Sequence, residues 1–89
     1  MISKQFKLYG KVQGVGFRYY ISQKANMLGI KGFVRNEPDG SVFIEASASD
    51  EKTMKIFLEY LKQGPSLARV DNVNVIDIPV QTFAEFEIR

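Results

Sequence analysis

The chain has 89 residues, of which 45% are hydrophobic and 25% charged, a composition typical of one small globular domain. It contains no cysteine and no histidine, which excludes disulfides, thiolate nucleophiles and the usual cysteine or histidine metal sites. The net charge is only +2, but residues 1–36 hold seven basic residues and no acid, which indicates an anionic partner such as a phosphate group, a nucleic acid or an acidic lipid.

The basic residues also have a simpler interpretation, in which lysines alternate on a strand face that contacts only water. The first residues lack the apolar run of a signal peptide, and no apolar stretch approaches the length of a membrane span. We therefore expect a cytoplasmic protein with no membrane association.

The first elements are predicted from hydrophobic periodicity. Residues 4–12 alternate, with Phe6 and Leu8 on one face, and predict a half-buried strand. Residues 13–16 form a turn broken by glycines. From Phe17 the apolar spacing becomes helical, and Gly29 is a natural helix end.

A β-hairpin is predicted next. Residues 31–36 and 41–47 both resemble strands, and residues 37–40, with the letters EPDG, form a strong turn signal. A second helix is predicted to begin at residues 49–51, whose letters SDE supply a helix cap and first-turn acids, and to end at Gly64 and Pro65.

The last third of the chain predicts two more strands. Residues 69–78 are rich in valine and isoleucine, but the apolar phase slips between Val75 and Ile76, where we expect a β-bulge. Residues 84–88 alternate as a short final strand. The complete order predicts an α+β, ferredoxin-like β-α-β-β-α-β sandwich in a single domain, residues 1–89, with an antiparallel sheet, two helices on one face and a short extra C-terminal strand.

One candidate site is the turn before the first helix. Glycine-rich turns and helix N-termini expose N–H groups that attract anions, and Arg18 could contribute a guanidinium. The predicted phosphate-binding residues are Gln13, Gly14, Val15, Gly16, Phe17 and Arg18. The segment is neither a Walker loop nor a dinucleotide fingerprint. A plain tight turn with a solvated arginine is the structural alternative.

Asn36 is the second candidate, at the end of the second predicted strand. Its carboxamide offers both a donor and an acceptor, although asparagine before a turn commonly only bonds to the turn backbone. Without histidine or cysteine, any catalysis must depend on charge stabilisation and positioning rather than on an ordinary general base.

Taken together, the two segments resemble the acylphosphatase family. The resemblance is carried by the letters QGVGFR at 13–18 and GFVRNEPDG at 32–40, and it continues to the closing FEI at 86–88. Phe33 stands where many members have tryptophan, and residues 45–49 lack a glycine often found there. The resemblance implies hydrolysis of carboxyl-phosphate anhydrides without cofactor or metal, an anion-binding role for Arg18 and a water-orienting role for Asn36.

The partners that this resemblance implies are an acyl phosphate as substrate and inorganic phosphate as product and competitive inhibitor, with no nucleic acid and a monomeric state. The identity of the acyl phosphate stays open. Three alternatives also remain: an RNA-recognition module of the RRM type, suggested by the letters KGF at 31–33, a non-catalytic ligand-sensing domain, and a module of a larger carbamoyl-phosphate-handling protein.

Overall fold

A computed structural model describes all residues from Met1 to Arg89. Its strands are β1 (Ile2–Lys11), β2 (Lys31–Asn36), β3 (Val42–Ala48), β4 (Arg69–Ile78) and β5 (Phe86–Ile88). Its helices are α1 (Phe17–Leu28) and α2 (Glu51–Gln63). The predicted element order and the ferredoxin-like sandwich are confirmed, with differences of one or two residues at the ends of β1, β3 and β5.

The strands form one five-stranded sheet in the order β4-β1-β3-β2-β5. β1 is antiparallel to both β3 and β4, and β2 is antiparallel to β3. β5 instead pairs parallel to β2, so the complete sheet is mixed. Antiparallel neighbours can be joined by a tight turn, but a parallel neighbour must be reached by a longer connection.

The helices begin and end where their sequences indicate. The Asp50 carboxylate accepts a hydrogen bond of 2.8 Å from the N–H of Thr53 and caps α2. Gly29 ends α1 with φ of 71°, a left-handed conformation that favours glycine. Neither helix is both long enough and apolar enough to span a membrane.

The core lies between the helices and one face of the sheet. Alternate residues of the strands meet one apolar stripe from each helix, and the two helices cover the same face. The Phe57 ring packs edge-on against Phe6 and Phe86, with ring centroids 5.7 and 6.4 Å apart. The fully buried helix residues include Ile21, Ala25, Phe57 and Leu61, and those of the strands include Phe6, Leu8, Val34 and Ile44.

The predicted bulge is found elsewhere. Pairing of β1 with β4 continues without a break past Val75 and Ile76, and the register shifts between Tyr9 and Gly10. Val75 and Ile76 are both exposed, because β4 is an edge strand, so their apolar phase reflects no buried face. A Cβ on Gly10 would lie 2.2 Å from the Arg69 carbonyl oxygen, which explains why the irregularity occurs at a glycine.

Residues 79–85, the crossing segment, connect the two edges of the sheet. The Gln81 N–H donates to the Ser3 hydroxyl oxygen at 2.9 Å, and the Gln81 carbonyl accepts from the Ser47 hydroxyl at 2.8 Å. The N–H of Gly32 then donates to the Glu85 carbonyl at 3.0 Å. The crossing segment therefore passes the start of β1, the end of β3 and the start of β2. After it, β5 runs parallel to β2 along its outer edge.

Candidate active site

A cavity of about 240 Å³ lies at the end of the sheet where β2 stops and α1 starts. Two of its lining residues are Arg18, in the first turn of α1, and Asn36, the last residue of β2. The other lining residues are Val12, Gly14, Gly16, Phe17, Tyr19 and Ile88. Five of the seven residues singled out in the sequence therefore meet around one cavity, whereas Gln13 and Val15 do not line it.

The loop before α1 depends on two glycines in left-handed conformations. Gly14 has φ of 73° and Gly16, the residue that caps the helix, has φ of 76°. Gly16 offers no side chain to the helix N-terminus, and the first turn of α1 contains no acidic residue. The first-turn N–H groups therefore have no side-chain acceptor, and the partial positive charge of the helix end is not neutralised by a carboxylate.

Arg18 is held in place by Arg89, the residue that follows β5. Its Nη1 donates to the main-chain oxygen of Arg89 at 3.2 Å, and the N–H of Arg89 donates to the carbonyl of Val34 at 2.8 Å. Arg18 is half-buried, and the rest of its guanidinium donors stay available beside the cavity. This contact joins α1 to the β2–β5 edge of the sheet.

The turn after Asn36 is stabilised by other residues. The Asp39 carboxylate accepts hydrogen bonds from the N–H and the hydroxyl of Ser41, and the N–H of Glu37 donates to the Ser41 carbonyl at 2.9 Å. The Ser41 groups lower the pKa of the Asp39 carboxyl to about 2. None of the hydrogen bonds that hold this turn comes from the Asn36 carboxamide, so the turn alone does not require an asparagine there.

Gln13 contacts the turn rather than the cavity. Its Nε2 donates to the carbonyl oxygens of Glu37 at 2.8 Å and Ser41 at 2.9 Å. No local pattern indicated this contact, which spans 24 to 28 residues. Three lining residues were also missed, namely Val12, Tyr19 and Ile88. Val12 and Tyr19 directly flank the 13–18 segment and could have been inferred from that place, whereas Ile88 reaches the cavity only through the parallel pairing of β5.

The electrostatic surroundings of the cavity favour an anion. Arg18 is the one charged residue in its lining. The two acids of the hairpin turn are paired with cations, Glu37 with Arg35 at 3.2 Å and Asp39 with Lys7 at 3.2 Å. No group of three or more aspartates and glutamates is placed to hold a metal ion.

The RNA-recognition alternative can be examined on the open face of the sheet, where such modules stack bases on exposed aromatic rings. The aromatic residue of the KGF letters, Phe33, is only 5% exposed. Phe83 of the crossing segment packs against its ring, and the Arg89 guanidinium lies 4.0 Å from its centroid. The ring is therefore covered and offers no surface for a base.

The family model and the curated relatives indicate one family. Residues 4–88 match the family model described as acylphosphatase. An acylphosphatase of Actinobacillus succinogenes is 49% identical over 73 residues, which cover 82% of this chain and 80% of that protein. One of Archaeoglobus fulgidus is 44% identical over 88 residues, or 99% and 98% of the two chains. The solved structure of an acylphosphatase from Coxiella burnetii matches with a TM-score of 0.94 at 35% identity, over 99% of this chain and 92% of that one.

Proposed function

Because this chain belongs to the acylphosphatase family and is an acylphosphatase, we propose that Arg18 and the 13–18 loop bind the phosphoryl group of an acyl phosphate while Asn36 orients the attacking water. The observation that carries this proposal is the shared cavity, in which side chains 18 positions apart in the sequence face one space.

Phosphate binding is supported by the chemistry of the loop. Left-handed glycines, first-turn N–H groups without a capping side chain and the guanidinium of Arg18 together supply donors and positive charge. The absence of a carboxylate from the cavity lining removes the repulsion that would oppose a phosphoryl group. The backbone N–H groups of Gly14, Gly16 and Phe17 are the donors we assign beside Arg18.

The reaction needs little acid–base chemistry. A water oxygen attacks phosphorus, the bond from phosphorus to the acyl oxygen breaks, and the carboxylate leaves with the bonding electron pair. Both protons of the water end on the phosphate product, as H₂PO₄⁻. The carboxylate is a good leaving group that needs no general acid, so charge neutralisation and positioning are the main contributions of the protein.

Asn36 can position the water without taking its proton. The carboxamide offers a donor and an acceptor, and it is not engaged in the hydrogen bonds that hold the neighbouring turn. A water held in this way matters in the transition state more than in substrate binding. Asn36 should therefore influence kcat and leave KM almost unaffected.

The experiment measures kcat, KM, competitive inhibition by inorganic phosphate and thermal midpoint on the same samples. Arg18→Gln should weaken phosphate inhibition and slow turnover, with a loss of about 1.5–3 kcal/mol for a charge-assisted contact. Asn36→Ala should lower kcat by about 10²–10³-fold while phosphate inhibition stays near wild type. Asn36→Asp should be no better, because it adds negative charge beside an anionic substrate.

Matched controls are available in the same chain. Arg69→Gln removes an exposed arginine that does not line the cavity, and Asn26→Ala removes an exposed asparagine on α1. Both should keep wild-type kinetics. Folded Arg18→Gln and Asn36→Ala proteins that also keep wild-type kinetics would refute the site.

We also propose that the reaction needs no metal ion, since the cavity residues supply their own positive charge and donors. Activity should be unchanged after dialysis against EDTA. A large loss that a divalent cation restores would overturn this part of the mechanism.

We also propose that the protein acts as a monomer in the cytoplasm. A chain without cysteine needs no oxidising compartment to fold. Light scattering at assay concentration should give the mass of one chain.

A further inference from the structure

We infer that the Gln13 side chain is a positioning residue, which fixes Asn36 relative to the phosphate-binding loop and does not itself bind phosphate. This inference rests on the proposed roles of the loop and of Asn36. It starts from the two hydrogen bonds of Gln13 Nε2, at 2.8 Å to the Glu37 carbonyl and at 2.9 Å to the Ser41 carbonyl.

The two acceptors define the turn itself. The Ser41 carbonyl also accepts from the N–H of Glu37 at 2.9 Å, and the Glu37 carbonyl also accepts from the N–H of Gly40 at 3.1 Å. Gln13 therefore binds the two carbonyl oxygens that close the turn, and one of them belongs to Glu37, the residue that directly follows Asn36. Ser41 is only 1% exposed, so these contacts lie in a part of the molecule where little movement is available.

The chemistry of the carboxamide decides what Gln13 can do. A primary amide has two N–H donors on its nitrogen, and both are used by the two carbonyl oxygens. The remaining polar atom is the Oε1 oxygen, which is an acceptor and would repel a phosphoryl oxygen. The side chain therefore has no donor left for phosphate, which agrees with its place outside the cavity lining.

The same chemistry makes glutamine specific at this position. Glutamate has the same length but would place an oxygen against two carbonyl oxygens, and methionine has a similar length with no donor. In either case the loop and the turn lose the contact that joins them. Asn36 then keeps its own side chain but loses its fixed distance from the phosphate-binding loop.

The test compares Gln13→Met and Gln13→Glu with wild type. Misplacing a catalytic group by about 1 Å can cost about 10²-fold in rate, so we expect kcat to fall between about 10-fold and 100-fold. Competitive inhibition by inorganic phosphate should change little. Gln63→Met, at an exposed position near the end of α2, is the control and should keep wild-type kcat.

Two results would overturn the inference directly. A weaker phosphate inhibition with kcat unchanged would make Gln13 a phosphate ligand. A lower thermal midpoint with both kinetic constants unchanged would make its contacts purely structural. If Gln13→Glu does not fold, Gln13→Met gives the same comparison without introducing a charge.

A double-mutant cycle with Asn36→Ala gives the sharpest test. If Gln13 acts through Asn36, Gln13→Met should lower kcat far less in the Asn36→Ala background than in wild type. Equal losses in both backgrounds would show that it acts independently. The single variants separate the two hypotheses: wild-type kcat in Asn36→Ala refutes the role of Asn36 and this inference with it, whereas low kcat there and wild-type kcat in Gln13→Met refute only the role of Gln13.

Discussion

Two glycines at opposite ends of α1 offer a matched perturbation of the phosphate-binding loop. Gly16 precedes the helix with φ of 76°, and Gly29 follows it with φ of 71°. A Cβ added at either position would meet no atom within 4 Å. The alanine variants should therefore lose similar stability, about 1–2 kcal/mol each, because only the left-handed backbone opposes the methyl group. For a domain of this size, each kcal/mol should lower the thermal midpoint by about 4–8 °C.

The two variants should differ in anion binding. Gly16 lines the cavity, whereas Gly29 lies at the other end of the helix, so only the Gly16→Ala methyl group enters space that we assign to the phosphoryl group. If that methyl displaces the anion from one N–H group, the loss is about 1.5–3 kcal/mol, or about 10- to 150-fold in the inhibition constant for inorganic phosphate. Gly29→Ala should leave this constant at its wild-type value.

The assay is the hydrolysis of a chromogenic aromatic acyl phosphate, titrated with inorganic phosphate, on samples whose thermal midpoints are known. The reasoning fails if Gly16→Ala binds phosphate as well as wild type does, because the loop would then not contact the anion. It also fails if Gly29→Ala weakens phosphate binding equally, since the effect would then come from a general disturbance of α1.

Three other predictions follow from the geometry. Gly10→Ala should destabilise the fold by at least about 2 kcal/mol, because the new Cβ would meet a backbone oxygen at 2.2 Å, yet should keep kcat at temperatures where it is folded; denaturant titration with a parallel assay checks both. The lowered pKa of Asp39 adds stability that is present above about pH 4 and is lost as the pH falls toward 2, so urea midpoints of wild type should drop more over this range than those of Asp39→Asn. Tyr19→Ala removes a 65% exposed ring from the cavity lining and should raise KM for an aromatic acyl phosphate more than for acetyl phosphate, whereas equal changes would place the acyl group elsewhere.

The parts of the fold that the sequence predicts well are those in which one face is buried. Phe6 and Leu8 alternate because the helices cover that face of β1, and the apolar stripe of α2 has the same cause. The slip of the apolar phase at Val75 and Ile76 led to the wrong prediction of a bulge there. Both residues are exposed on an edge strand, so no buried face constrains which of them is apolar. Gly10, an isolated glycine within a strand, was the local signal for the true irregularity.

The site was only partly accessible to the same reasoning. Arg18 and the glycines are recognisable because a strand, a tight turn and a helix start follow one another in the chain. The contact of Gln13 with the hairpin and the place of Ile88 in the cavity lining both depend on tertiary pairing. Alternation at residues 84–88 indicates a strand but contains no information about which neighbour it will join or in which direction.

The crossing segment couples the register of β1 and β3 to the distant cavity. The N–H and the carbonyl of Gln81 bind serines on two different strands, and those serines, Ser3 and Ser47, are themselves register partners whose hydroxyl oxygens lie 2.6 Å apart. Both hydrogen bonds of Gln81 can form together only when β1 and β3 are paired in the native register. Since β5 and the main-chain oxygen that anchors Arg18 lie beyond Gln81 in the chain, the position of Arg18 at the cavity depends on a serine pair at the opposite end of β1 and β3.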